Sequence, residues 1–192
     1  MASQIAFGFR VRSGHAIAVV LRGPVEAPSA VARHLVLLSD PDIEATRQPY
    51  HAGMGIAQTD ASEIARLTRI IERAAHQSVA ALAASYDRQA DSPRACLVVG
   101  SLIDPSAVGG SHIRAHAHEG RLFQTVLEGA LQAVGIRSIV VVDKSLAAEA
   151  SSILARPQAD IAKQIGEFGR TLGSPWRAHE KAAATGAWRA LA

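Results

Sequence analysis

His112, His116 and Glu119 stand at i, i+4 and i+7 in the run His112-Ile113-Arg114-Ala115-His116-Ala117-His118-Glu119, so on a helix they share one face. Two imidazoles one turn apart can clamp a transition metal, and a carboxylate a turn later can add a third ligand or act as a base. The order differs from the zincin signature, which puts a glutamate directly after the first histidine. A helix start whose histidines simply meet water has the same pattern. A second polar group is Arg47-Gln48-Pro49-Tyr50-His51: Arg47, Tyr50 and His51 carry donors suited to an anion or a base edge, and Pro49 stiffens their presentation. The alternative is that Tyr50 covers a domain edge while Arg47 is solvated. Gly109-Gly110-Ser111 ahead of a helix is either an anion cradle or a flexible loop.

Other chemistries are disfavoured. The chain has neither a glycine-rich phosphate loop ending in Lys-Ser/Thr nor a G-x-S-x-G elbow, which argues against P-loop nucleotide hydrolysis and against an elbow-type serine hydrolase. The single cysteine, Cys96, lies in the apolar run Ala95–Val99 and reads as a buried small residue rather than a nucleophile. One cysteine also excludes an internal disulfide and suits a reducing compartment. The chain shows no leader pattern and no apolar run of the roughly 20 residues that cross a bilayer, so a cytoplasmic protein without membrane contact is expected. A formal net charge of +3 does not by itself imply nucleic acid, but permits a local basic patch.

The elements that must position these residues follow from period and punctuation. Gln4–Val11 and His15–Leu21 read as strands split by the Ser13-Gly14 turn, a hairpin. His34–Leu38 is a third strand. Residues 40–59 carry no apolar period and read as one long loop. Thr59 or Asp60 caps a helix, with Glu63 at capping-box spacing from Asp60, that runs to about Tyr86. Arg94–Val99 is a strand apolar on both faces, His112–Val134 a long helix ended by Gly135, and Ser138–Val142 a fifth strand. Helices follow from Ser145, broken at Pro157 and at Gly173-Ser174-Pro175. Trp188 reads as core, whereas Trp176 is open to a core or a base-stacking role. Right-handed β-helix-β crossovers over residues 59–142 make that part of the sheet parallel, and the hairpin makes the rest antiparallel. The expected architecture is α/β: a mixed five-stranded sheet with helices on both faces, in a single domain over residues 1–192.

This order resembles the ribonuclease H-like superfamily, in particular its Holliday-junction resolvase branch and related bacterial proteins. Ala6-Phe7-Gly8-Phe9-Arg10-Val11-Arg12-Ser13-Gly14 is similar to the first strand and turn of those nucleases, and His179-Glu180-Lys181-Ala182-Ala183-Ala184 to their last helix. The resemblance implies two-metal chemistry, with Mg²⁺ or Mn²⁺ held by carboxylates of the first strand, the end of the fourth strand and the last helix. Carried onto this chain, those positions fall on Arg10, on Gly100-Ser101 with Asp104 the next carboxylate, and on Lys181 beside Glu180. Cations at such positions repel Mg²⁺.

Three expectations follow. In the first, the carboxylate set is lost and Arg10 and Lys181 bind nucleic acid or another phosphorylated ligand, with Arg47, Tyr50, His51, His112, His116 and Glu119 nearby. In the second, Glu119 and Asp104, with His112 and His116 on the metal, form a rearranged nuclease site. In the third, the chain is a scaffold subunit. A homodimer is the expected assembly. Alternatively, Arg10 and Lys181 are solvated or pair with Glu119 or Asp104.

Overall fold

The computed structural model describes residues 4–86 and 93–192. The hairpin forms as its turn dictates: β1 (Ile5–Arg12) and β2 (His15–Arg22) pair antiparallel in a register that sets Arg12 opposite His15, with Gly14 at φ +77°, a conformation that glycine adopts without strain. β3 (Ser29–Leu37) pairs antiparallel with β2 and begins well before His34. Its first residues lack an apolar period and are held by backbone pairing across a bulge at Val20/Leu21. The stretch read as one loop contains a 3-10 turn, Glu44–Arg47, and a small hairpin of β4 (His51–Gly53) and β5 (Ile56–Ala57). Strands this short show no readable alternation.

Helix α1 (Ala61–Ala84) starts on Asp60, whose carboxylate accepts from the Ser62 and Glu63 amides. It leads to β6 (Arg94–Val99), then α2 (Ser111–Ala133), β7 (Arg137–Val142), α3 (Asp143–Leu154), α4 (Gln158–Leu172) and α5 (Ala178–Leu191). α3 begins at Asp143, immediately after β7, rather than at Ser145. The sheet order is β3-β2-β1-β6-β7, with β1, β6 and β7 parallel. These three strands therefore end on one rim, at Arg12, Val99 and Val142.

Side-chain alternation divides the core into two layers. Phe7, Phe9 and Leu97 pack with Ile71, Val79, Phe123 and Leu127 of α1 and α2. On the other face Ala6, Cys96 and Val98 pack with Leu146, Ile165, Phe168 and Trp188 of α3 to α5. Both tryptophans are structural: Trp188 Nε1 donates to the Val25 carbonyl at 2.8 Å, and Trp176 Nε1 to the Ile165 carbonyl at 3.0 Å. Burial pushes the Cys96 thiol up to about 12, which leaves it protonated and inert as a nucleophile.

The α5 layer lies unusually close to the sheet. A β-carbon on Gly8 would stand 1.8 Å from the Ala183 carbonyl oxygen and 2.3 Å from the Ala187 nitrogen. Gly186 faces β6 in the same way, at 3.0 Å from Val98 Cγ2. Because the obstacle at Gly8 is backbone, relief requires moving a helix. Gly8→Ala is accordingly expected to lower the unfolding free energy by about 3 kcal/mol, read from the urea midpoint. Gly129→Ala, on an exposed stretch of α2 where a β-carbon meets nothing within 4 Å, should instead raise it by up to ~1 kcal/mol.

Candidate functional site

The rim where β1, β6 and β7 end is covered on one side by the first turns of α2 and by the β4–β5 hairpin. Arg114 fixes the approach to α2, donating from Nε to the Val108 carbonyl and from Nη2 to the Gly109 carbonyl at 2.9 and 3.2 Å. The hairpin is closed by the Gln58 amide donating to the Tyr50 carbonyl at 2.8 Å, and β5 packs on α2. Tyr50 stacks on His118, rings 4.7 Å apart and 16° from parallel. Burial, and then the negative charge of Glu119, push the Tyr50 phenol up.

This anchoring delivers His51 to the histidine face of α2. His51 Nδ1 lies 2.7 Å from Glu119 Oε1, and His51 Nε2 lies 3.2 Å from His112 Nδ1. The three rings of His51, His112 and His116 have centroids 4.5 to 5.2 Å apart. Glu119 is only 1% exposed, yet its Oε2 has no hydrogen-bond partner. His116 Nδ1 approaches that oxygen to 3.5 Å, at the outer limit of hydrogen-bonding distance and too poorly aligned to satisfy it. The structure brings together His112, His116 and Glu119, read from the helix face, and His51, read from the separate Arg47–His51 group. Only the local pattern of α2 is visible in sequence; nothing local in Tyr50-His51 indicates that the hairpin lands there.

The remaining sequence candidates lie elsewhere. Asp104 is not with the histidines: its carboxylate caps the 3-10 turn Pro105–Ala107, accepting from the Ser106 amide at 3.0 Å, and that bonding holds its carboxyl below the ordinary value. Its nearest cation is Arg121 at 3.9 Å. Lys181 is exposed on α5. Arg10 neither faces solvent nor pairs with Glu119 or Asp104. Its parity on β1 puts it with Ala6 and Gly8 on the α5 side, opposite the α2 layer that carries Glu119. There the guanidinium donates to the Val98 carbonyl at 3.2 Å and to Asp143 Oδ2 at 3.0 Å. Burial lowers the Arg10 pKa, and the Asp143 charge opposes that.

Between the ends of β1 and β6 lies a cavity of about 250 Å³ lined by Arg10, Arg12, Ser13, Ser101, His116 and Gly120. A neighbouring cleft is lined by Ser13, His15 and Arg47. Burial holds the His15 imidazole below its ordinary pKa, a backbone hydrogen bond at Ser13 opposes this, and Arg12, His179 and Arg47 lower it further.

Two solved structures of Thermus thermophilus RuvC, one in complex with Holliday junction substrate, are similar to the chain over 97% of its length and 91–92% of theirs, with TM-scores of 0.55 and 0.56 at 10% identity. The fold is ribonuclease H-like. No family model and no curated protein sequence matches the chain. The positions to which the resemblance carries the metal ligands supply few of the oxygen donors that Mg²⁺ takes. β1 offers Gly8, sealed against α5, and Arg10; β6 ends in Gly100 and Ser101; and Glu180 Oε2 accepts from the Arg177 amide at 2.9 Å.

Arg10 thus behaves as an internal strut. Arg10→Met leaves the Val98 carbonyl unmet and Asp143 alone but 44% exposed, so a loss of about 1–3 kcal/mol in unfolding free energy is expected, measured by urea denaturation.

Proposed function

We propose that the chain is a nucleic-acid-binding domain of ribonuclease H-like fold that works without the two-metal carboxylate centre. The observation that carries this reading is the guanidinium-bearing rim: Arg12 lines the cavity at the ends of β1 and β6, and Arg47 lines the neighbouring cleft with Ser13 and His15. Phosphodiester oxygens are the natural partners of such a surface, with guanidinium groups binding two oxygens at once. The likeness to a fold solved with Holliday junction substrate makes branched DNA the first ligand to test. Arg10, held by Asp143, would contribute structure rather than bind phosphate, and Arg12 and Arg47 would take that role.

Fluorescence anisotropy with a labelled four-way junction and a matched duplex should give binding that weakens steeply with salt. Arg12→Ala with Arg47→Ala should weaken it about tenfold and lower the salt slope by about two, one for each phosphate that no longer meets a guanidinium. Absence of salt-dependent binding to junction, duplex and single strand would overturn the reading.

The cluster of His51, His112, His116 and Glu119 favours a second reading, metal-dependent cleavage of the bound strand. Asp104 has no part in it. It predicts nicking in Mn²⁺ or Zn²⁺ that Glu119→Ala abolishes, and cleavage that survives this substitution would exclude it.

A further inference from the structure

We infer that His51, His112 and His116 form a site for one transition-metal ion, Zn²⁺ foremost, with Glu119 as the buried carboxylate that orients His51. The inference rests on the histidine geometry alone and stands whether or not the chain binds nucleic acid.

One nitrogen of each imidazole lies within 4.8 Å of the others. A carboxylate oxygen accepts only, so the 2.7 Å contact with Glu119 Oε1 puts a proton on His51 Nδ1 and leaves Nε2 as a lone pair. Opposite it, at 3.2 Å, stands His112 Nδ1. Zn–N bonds of about 2.0–2.1 Å at the tetrahedral angle separate their nitrogens by about 3.3 Å. A metal ion between the two nitrogens therefore fits with hardly any change in spacing. His116, whose Nδ1 lies 3.5 Å from Glu119 Oε2, supplies the third ring nitrogen within 4.8 Å of the other two. Its side chain is 49% exposed, so the ring is free to rotate through the remaining distance.

Glu119 is the independent observation. A carboxylate this deeply buried with one oxygen unsatisfied is costly unless positive charge stands close by. Carboxylate–histidine–metal arrangements supply that charge through the ring, and here the carboxylate lies behind His51. Imidazole donors suit Zn²⁺, and also Cu²⁺ or Ni²⁺, but not Mg²⁺. His51 is buried while His112 and His116 are exposed, so the ion's outer side faces solvent. Three protein ligands with a fourth position left to water or an anionic oxygen is the pattern of a reactive rather than a closed structural zinc site. His116 also lines the cavity between β1 and β6, which puts that open position within reach of an anion held there.

The test uses the untagged full-length chain stripped with a chelator. Calorimetry with Zn²⁺ should give one equivalent bound, Co²⁺ should develop the intense visible bands of a tetrahedral nitrogen-ligated ion, and millimolar Mg²⁺ should displace neither. His112→Ala and His116→Ala remove exposed side chains and should lower Zn²⁺ affinity at least 100-fold. Glu119→Gln should lower it 10- to 100-fold, and His76→Ala, exposed on α1, should leave it unchanged. Absence of heat and of visible bands in the unmodified chain, or undiminished binding in His112→Ala and His116→Ala, would overturn the inference. Undiminished binding in Glu119→Gln would overturn the role given to the carboxylate.

Discussion

A β-carbon at residue 8 would overlap the backbone of α5, and much of the molecule's chemistry is arranged around that close approach. The layer pressed against β1 and β6 has to be built from small side chains, and the sequence supplies Gly8, Ala183, Gly186 and Ala187. Dense packing of this kind gains dispersion energy along the whole helix. It also brings the backbones of the first strand and the last helix into close approach at Gly8.

Arg10 follows from the same constraint. Two residues beyond Gly8 on the same face, it emerges where α5 no longer seals the sheet and α3 begins. A buried guanidinium needs a fixed counter-charge and fixed acceptors. The Val98 carbonyl and Asp143 provide both, tying the ends of β1, β6 and β7 together. The exposed guanidinium groups near this rim are instead those of Arg12 and Arg47.

How much of this was legible in the sequence depends on the range of the interactions. Strand period, the Ser13-Gly14 turn, the Asp60 cap and the two long crossovers are local signals, and they led to the mixed sheet with its two helical layers. The face of α2 carrying His112, His116 and Glu119 was equally local. The hairpin β4–β5 was not, because two- and three-residue strands carry no period, and His51 meets Glu119 across 68 residues. Asp104 shows a second limit: a carboxylate close after β6 looks chemical, while an aspartate ahead of Pro105 and Ser106 is also well suited to cap a turn, and its carboxylate does accept from the Ser106 amide.

Glu119 stands apart from the positions around it. Core positions on α2 at this depth are otherwise apolar, with Ala115, Phe123, Val126 and Leu127 its buried neighbours along the helix. A leucine there would pack without the desolvation cost of a carboxylate. Stability alone therefore gives little reason for a glutamate at this position, and a single hydrogen bond to His51 does not remove the cost of the unsatisfied Oε2. What a carboxylate does here that leucine cannot is hold the His51 imidazole in fixed orientation and balance positive charge placed beyond it. A transition-metal ion among His51, His112 and His116 would be that charge, set on the opposite face of the sheet from α5.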